Sequence, residues 1–256
     1  MKTKTLIIDI ETAPTLAYVW RSFKENIGLK QIVENPYIMS FAAKWLDGDE
    51  VMYMENRHGD DREVVSAIFN LFDEADLVVA HNAKKFDIPT IRGRGLVLGL
   101  KPYSPIKIVD TLLIAKREFR LFQNNLAYIA QLLDCADKEE HKEFPGFELW
   151  LQCLKQNDAA WQEMKVYNIQ DTLTLEQVYL KMRPYASAHP NVAVKEESAQ
   201  PLCPKCGSHH IHFRGYYNTN VGKYRKFQCQ DCGGWGRTRF TEYPKDIKKE
   251  LMTNAI

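Results

Sequence analysis

Leu6-Ile7-Ile8-Asp9-Ile10-Glu11-Thr12 is the stretch that decides the fold, because it places two acids inside an otherwise apolar strand. Side chains alternate across a strand, so Asp9 and Glu11 point to the same face. Burying two neighbouring carboxylates is costly unless a cation neutralises them. The alternative is an exposed edge strand with solvated acids, but a β-branched apolar run is typical of a covered central strand. The stretch therefore predicts a metal site.

The size and composition are those of an ordinary globular protein. The chain has 256 residues, 45% hydrophobic and 26% charged, which allows one sizeable core and a small appendage. No apolar run approaches the roughly 20 residues that span a bilayer, and Met1-Lys2-Thr3-Lys4 lacks the apolar stretch of a signal peptide. We expect a cytoplasmic location, reduced thiols and no membrane partner.

Charge is distributed unevenly along the chain. Residues 201–256 contain ten Lys or Arg and four Asp or Glu, a net charge of +6. Since the whole chain has a net charge of +1, residues 1–200 have a net charge of −5. Before this basic segment the chain is rich in Pro, Ala and Ser, which is typical of a tether. We predict a main domain over 1–183, a linker over 184–200, a small domain over 201–242 and a basic tail over 243–256.

Hydrophobic periodicity predicts strands near 4–10, 37–45, 50–54, 76–80 and 106–110, and helices near 61–73, 87–99, 111–119, 123–133 and 158–183. This order predicts an α/β fold with a mixed five-stranded sheet flanked by helices, in which an antiparallel meander is continued by parallel strands. Residues 12–36 form a long connection after the acidic strand. Such connections are often functional, so this one is a candidate lid or substrate wall, although Trp20 in it could equally pack on the core.

Two further acids extend the candidate metal site. Asp87 follows the apolar strand at 77–80 and precedes a helix, where it is either a ligand or an ordinary N-cap. Asp171 is the single charge in an apolar helical stripe, so it needs a metal or a buried salt bridge. That stripe consists of Ala160, Met164, Tyr167, Asp171, Leu175, Val178 and Met182.

Asp9, Glu11, Asp87 and Asp171 together are four hard oxygen donors. Carboxylates without His or Cys suit Mg²⁺ or Mn²⁺ rather than Zn²⁺. Two such ions about 3.5–4 Å apart form the clamp used for phosphodiester cleavage. His81, beside this group, is expected to be structural rather than a ligand.

The same residues resemble a known family. Asp9-Ile10-Glu11-Thr12, Asn82 to Phe86-Asp87, and Tyr167-Asn168-Ile169-Gln170-Asp171 are similar to the three motifs of the DEDD 3′–5′ exonucleases, which have a ribonuclease H-like fold. The resemblance covers about residues 3–183. Tyr four residues before the last Asp is similar to the tyrosine subclass, and the second motif resembles the proofreading domains of family B polymerases.

The resemblance implies that Asp9, Glu11, Asp87 and Asp171 hold two Mg²⁺ or Mn²⁺ ions and that Tyr167 orients the attacking water. A phenol with a pKa of about 10 is a poor base at neutral pH, which agrees with a positioning role. Substrate contacts by Thr12, Asn82 and Phe86 are also implied.

The implied reaction is hydrolysis of nucleic acid to nucleoside 5′-monophosphates. Single-stranded DNA is favoured over RNA, and a replication, repair or recombination protein is a possible partner. The alternatives are an exoribonuclease of the same fold and a non-catalytic nucleic-acid binding protein.

Two Cys-x-x-Cys-Gly pairs, at Cys203 and Cys206 and at Cys229 and Cys232, predict a structural Zn²⁺ site. Redox disulfides are the alternative. Cys135 and Cys153 lie alone in apolar sequence and are expected to be inert. The paired segment resembles the zinc ribbons of transposase-type proteins. Its basic residues alternate with aromatic ones, which suits nucleic-acid binding, although the aromatic side chains could instead be the core of the mini-domain.

Overall fold

The computed structural model describes residues 2–135, 143–196 and 198–253. The chain divides into two compact units, one formed by Lys4–Tyr179 and the other by Leu180–Ile256 together with Met1–Thr3. In the described part of the chain, no helix combines the length and the apolar character needed to cross a membrane.

The first unit contains seven strands, six α-helices and a short 3-10 helix among its described residues. The strands are β1 (Thr5–Thr12), β2 (Leu16–Ala17), β3 (Ile32–Glu34), β4 (Ile38–Trp45), β5 (Val51–Glu55), β6 (Leu77–Ala80) and β7 (Lys107–Asp110). The helices are α1 (Arg62–Glu74), α2 (Asp87–Val97), α3 (Thr111–Glu118), α4 (Leu126–Leu132), α5 (Glu148–Leu154) and α6, which begins at Asp158 and ends at Met182.

Five strands form the central sheet in the order β5-β4-β1-β6-β7. β1 is antiparallel to β4 and parallel to β6, and β6 is parallel to β7. The predicted mixed five-stranded sheet is therefore confirmed. β1 lies in the centre and its apolar residues are buried, so the alternative of an exposed acidic edge strand is wrong.

The alternation of β1 separates two environments. Leu6, Ile8 and Ile10 join the core packed against α1 and α2. Asp9 lies on the opposite face, where Asn168 of α6 contacts it. The two faces of one strand thus divide the apolar core from the acidic site.

Helix α6 is held on β4 by polar contacts one helical turn apart. Ser40 donates a hydrogen bond to Asn168 (3.0 Å), and Thr172 donates one to the backbone oxygen of Ala42 (3.2 Å). Lys44 closes the row with a largely buried ion pair to Glu176, in which both Nζ–Oε distances are 2.7 Å. Residues four apart lie on one face of a helix, and residues two apart lie on one face of a strand. The matching contacts therefore set the position of α6 along the sheet.

The connection between β1 and β4 forms a small two-stranded sheet, β2 with β3, and an ordered tip. The Glu25 carboxylate accepts hydrogen bonds from the backbone N–H groups of Trp20 (3.0 Å) and Arg21 (2.8 Å), and from Gln31 (2.9 Å). Trp20 is 94% exposed, so the idea that it packs on the core is wrong.

The second unit contains β8 (Ile211–Thr219), β9 (Gly222–Cys229), β10 (Trp235–Arg237) and α7 (Lys245–Lys249). The three strands form an antiparallel sheet in the order β10-β9-β8. The segment expected as a linker, 184–200, contains short 3-10 turns at Arg183–Tyr185 and Val192–Lys195. Val192 donates a backbone hydrogen bond to Pro204 (2.9 Å), so the segment contacts the first cysteine turn. Residue 197 and the tail residues 254–256 lie outside the described residues.

Candidate active site and four-cysteine centre

Asp9 is oriented by α6. Asn168 Nδ2 donates a hydrogen bond to Asp9 Oδ2 (2.8 Å), and the Asn168 side-chain oxygen accepts the bond from Ser40. Asn168 itself is fully buried. The amide therefore has a partner on each side, which holds the Asp9 carboxylate in one rotamer.

The predicted acids lie close enough for the charges of three of them to raise the pKa of Asp9. Burial raises the pKa of Asp9 well above its ordinary value, and the charges of Glu11, Asp171 and Asp87 raise it further, against the lowering effect of the Asn168 hydrogen bond. Like charges at short range disfavour ionisation of each other. The structure thus brings together, around Asp9, the four carboxylates that the sequence singled out.

Asp87 is the most buried of these acids, with 1% of its surface exposed. Burial raises its pKa from 3.8 to about 7, with a further contribution from the charge of Asp110. Asp87 Oδ2 is buried and has no hydrogen-bond partner among the described residues. Helix α2 begins at Asp87, and Phe86 is its N-cap residue without a side-chain cap. The N-cap alternative for Asp87 is therefore wrong.

The loop before α2 is shaped by Asp110. This carboxylate accepts backbone hydrogen bonds from Asn82 (3.1 Å) and Lys84 (3.0 Å), and it also caps α3 through Leu113 N–H (3.2 Å). Asn82 has a φ of 68°, a left-handed conformation that Asn tolerates better than most residues. The loop leaves Phe86 partly exposed next to Asp87.

His81 anchors the start of this loop. Its ring nitrogens contact Thr111 Oγ1 (2.9 Å) and the backbone oxygen of Asn124 (3.0 Å). Burial lowers its pKa below the ordinary value. Both ring nitrogens have partners, which agrees with the structural role expected for His81.

Tyr167 and Asp171 lie one turn apart on α6. The Tyr167 hydroxyl donates a hydrogen bond to the Asp171 carboxylate, and burial followed by the charges of Asp171, Glu11 and Asp9 raises the phenol pKa. Trp150, from α5, packs edge to face with the Tyr167 ring, with centroids 6.1 Å apart. The phenol is therefore protonated at neutral pH and held beside the acids.

Thr12 lies at the end of β1, where the pairing with β4 shifts register between Glu11 and Thr12. This irregularity lies at the carboxyl end of β1, beside the acids. The connection with the exposed Trp20 and Phe23 leaves the sheet at the same point.

The acids fit divalent cations by their chemistry. Asp9 and Asp87 have raised pKa values, and Asp87 has a buried oxygen without a hydrogen-bond partner among the described residues, which a bound cation would neutralise. They are not a preassembled cage. Among the described residues, the only group of three or more His, Cys, Asp or Glu with ligand atoms all within 4.8 Å of one another is the four-cysteine group.

Sequence reasoning missed three contributors. Asn168, Asp110 and Trp150 are given no part in the site by the sequence, and helix α5, which contains Trp150, is not predicted. A polar Asn inside the buried stripe of α6 was the available signal for Asn168. Nothing local points to the second role of Asp110, because its partners lie 26 and 28 residues away.

The four cysteines converge in the second unit. Cys203 Sγ lies 3.7 Å from Cys232 Sγ, and Cys206 Sγ lies 3.6 Å from Cys229 Sγ. A Zn²⁺ tetrahedron with Zn–S bonds of about 2.3 Å has edges of about 3.8 Å, whereas a disulfide would be about 2.05 Å. The geometry fits zinc, and all four cysteines are free in the structure rather than joined in disulfides.

Both cysteine turns have the same backbone form. Gly207 and Gly233 have φ values of 75° and 76°, as expected for the glycine after each pair. Cys135 and Cys153 are buried and lie outside this group, and burial raises the pKa of Cys153 to about 12. This agrees with inert core thiols.

Comparison with known proteins supports the same fold. Residues 24–183, well over half of the chain, match a family model of the RNase H superfamily. Asp9 and Glu11 precede the matched range. In the comparison with curated proteins, no sequence matches the chain.

Among solved structures, the chain is similar to the family B DNA polymerase from the hyperthermophilic archaeon Pyrobaculum calidifontis, with a TM-score of 0.51 and 16% sequence identity. The alignment covers 72% of this chain and 26% of the polymerase, so the chain spans about a quarter of that protein. At this identity the likeness concerns the fold. Because the family model matches well over half of the chain, the chain belongs to the RNase H superfamily.

Proposed function

We propose that the protein is a metal-dependent 3′–5′ exonuclease that releases nucleoside 5′-monophosphates. The observation that supports this most is the grouping of carboxylates around Asp9, together with the buried Asp87 Oδ2, which lacks a hydrogen-bond partner among the described residues. Membership of the RNase H superfamily supports a nuclease in general. The resemblance of the three acidic motifs to the DEDD exonucleases supports the polarity.

The side chains of the chain have distinct tasks in this proposal. Asp9, Glu11, Asp87 and Asp171 hold two Mg²⁺ or Mn²⁺ ions, which when bound supply an activated water and the positive charge that stabilises the leaving 3′-oxygen. Asn168 orients Asp9. Tyr167 keeps its proton, because its pKa is raised, and positions the water by hydrogen bonding.

The surroundings of the acids favour a single-stranded substrate. Trp20 and Phe23 are exposed on the ordered connection that leaves the end of β1, and Arg21 and Lys24 lie between and beside them. Aromatic and cationic side chains together suit base stacking and phosphate contact. We assign this connection as a substrate wall, with Thr12, Asn82 and Phe86 contacting the terminal nucleotide.

DNA rather than RNA is the preferred substrate in this proposal. The motifs are similar to those of polymerase proofreading domains, and the structural relative is named as a DNA polymerase. This support is by analogy, so the sugar is the part of the proposal that the experiment must decide.

A mononucleotide-release assay tests the proposal. Single-stranded DNA and RNA oligomers labelled at the 3′ end are incubated with the full chain and Mg²⁺ or Mn²⁺. We expect immediate release of a labelled mononucleotide from DNA, and an Asp9→Ala variant should lose at least two orders of magnitude in rate. Asp49→Asn, an exposed acid on the same unit, is the matched control and should keep full activity.

The other outcomes separate the alternatives. Degradation of RNA alone would make the protein an exoribonuclease with the same site. Cleavage of a circular single strand would indicate an endonuclease. Hydrolysis that Asp9→Ala leaves unchanged would mean that the acids are not the catalytic site, and binding without hydrolysis under any of these conditions would favour a non-catalytic protein.

A further inference from the structure

The sheet of the cysteine-containing unit is unusually basic. β8, β9 and β10 together contain five Lys or Arg and no Asp or Glu. Its aromatic residues are Phe213, Tyr216, Tyr217, Tyr224, Phe227 and Trp235. Whether these rings form a core or a binding surface depends on the face to which each one points.

One face of this sheet is closed by aromatic packing around Phe227, whereas farther along the same face Tyr216 is 50% exposed, with Lys223 Nζ 4.0 Å from its ring centroid. Phe213 pairs with Phe227, and their rings meet edge to face with centroids 6.2 Å apart. Gly236 pairs with Phe227, and a Cβ at this glycine would collide with the Phe227 ring. Phe227 and Cys229 are buried on this side. We call it the closed face.

The opposite face presents its side chains outward. Tyr217 pairs with Tyr224 across β8 and β9, and Arg237 pairs with Lys226 across β10 and β9. Directly paired residues share a face and residues two apart share a face, so Trp235 lies on this side as well. We call the set formed by Tyr217, Tyr224, Lys226, Trp235 and Arg237 the open face.

Cations and rings alternate on the open face. The Arg237 guanidinium lies 4.0 Å from the Tyr224 ring centroid and 5.8 Å from that of Tyr217. Lys226 Nζ lies 5.5 Å from the Trp235 ring centroid. Tyr217 and Trp235 remain 51% and 47% exposed. The face therefore offers flat apolar surfaces and positive charge without a neighbouring acid on its strands.

A bulge in β8 produces this arrangement. The pairing shifts between Phe213 and Tyr216, and Gly215 in the bulge has a φ of 68°. Because of the extra residue, Phe213 and Tyr216 both point to the closed face, and Tyr217 points to the open face. The two adjacent tyrosines alternate as in any strand, and the bulge decides that Tyr217 is the one on the open face.

We propose that the open face binds single-stranded nucleic acid, with bases stacked on Tyr217 and Trp235 and phosphates contacted by Lys226 and Arg237. The charged residues of these strands are all cations and complement a polyanion. Exposed rings beside cations are suited to stacking with unpaired bases. The choice of DNA as the bound strand rests on the proposed function. Binding of a single strand to the open face does not depend on hydrolysis.

The test measures affinity without catalysis. Full-length protein with Asp9→Ala, zinc-loaded and without Mg²⁺ or Mn²⁺, is titrated into fluorescein-labelled oligo(dT) of 20 nucleotides, and fluorescence anisotropy reports Kd. Loss of one stacked base corresponds to about 5-fold to 150-fold in Kd, which we expect for Tyr217→Ala and for Trp235→Ala. The Lys226→Gln, Arg237→Gln double variant should reduce the slope of log Kd against log salt by about 1.4.

Tyr216→Ala is the matched control, since Tyr216 is 50% exposed on the same strand but points to the closed face. It should change Kd by less than about twofold. Zinc content and circular dichroism verify that each variant is folded. Equal losses in Tyr216→Ala and Tyr217→Ala, or unchanged Kd in all open-face variants, would overturn the proposal, and the second result would leave the face to a protein partner. Neither result depends on whether the intact protein hydrolyses DNA.

Discussion

Replacing Asp87 with Asn should stabilise the protein when no divalent cation occupies the acidic site. The pKa of Asp87 is raised from 3.8 to about 7, mainly by burial. The folded state therefore keeps the proton over this range while the unfolded state has lost it, so stability falls as pH rises from about 4 to about 7. A shift of about three units at about 1.4 kcal/mol each amounts to roughly 4 kcal/mol above pH 7. An Asn at position 87 avoids this cost and can still accept the hydrogen bond from the Ile10 backbone.

Urea denaturation followed by tryptophan fluorescence measures the effect, since four of the five tryptophans lie between Lys4 and Tyr179. At pH 8, without Mg²⁺ or Mn²⁺, Asp87→Asn should be more stable than the wild type by up to about 4 kcal/mol, and the difference should vanish near pH 4. Added Mn²⁺ should stabilise the wild type, by about 2.7 kcal/mol at a hundred times Kd, and the variant much less.

Asp49→Asn, at an exposed position, should show neither effect. A variant at position 87 that is less stable than the wild type at pH 8, or a difference that does not change with pH, would refute the reasoning. Either result would mean that the Asp87 carboxylate is compensated inside the protein rather than left for a cation.

Three other changes probe the site and its supports. Tyr167→Phe should lower turnover by about 10² without changing the shape of the rate profile between pH 6.5 and 9.5, because the raised pKa keeps the phenol protonated throughout. Lys44→Met should destabilise the first unit by about 3–5 kcal/mol in urea, since it leaves the largely buried Glu176 charge without its cation. Cys206→Ser should abolish the one equivalent of zinc per chain, measured by mass spectrometry, while unfolding of the Lys4–Tyr179 unit stays unchanged.

For each of these three predictions, a specific result would contradict the reasoning. An inflection in the wild-type rate profile that disappears in Tyr167→Phe would make the phenol a base. Lys4→Met breaks an exposed ion pair with Glu74 and should cost less than about 1 kcal/mol, so a similar cost for both lysine variants would disprove the role of burial. Cys135→Ser should retain zinc, and retention by Cys206→Ser as well would place the metal elsewhere.

Most strands and helices of the first unit are predictable from the sequence, because each of them produces a local signal. The five strands of the sheet and helices α1, α2, α3, α4 and α6 lie within a few residues of their predicted bounds, since each has its own periodicity or end signal. Helix α5 was missed because seven residues show too little periodicity. The β2–β3 pair was missed because strands of two and three residues have no pattern of their own.

The sequence by itself determined that Asp9 and Glu11 share a face of a central strand, that Asp171 interrupts an apolar helical stripe, and that four cysteines can hold zinc. These follow from the repeat of a strand, the repeat of a helix and the ligand preferences of a metal, all of which are local properties.

Only the tertiary structure decided how these parts meet. It makes Phe86 rather than Asp87 the N-cap residue of α2, joins Asn168 to Asp9 across 159 residues of sequence, and decides through the register of β8 that Tyr217, not Tyr216, pairs with Tyr224. Such contacts depend on the packing of α6 on β4 and on the register of β8 with β9. No local pattern encodes them, because the atoms involved become neighbours only when the chain folds.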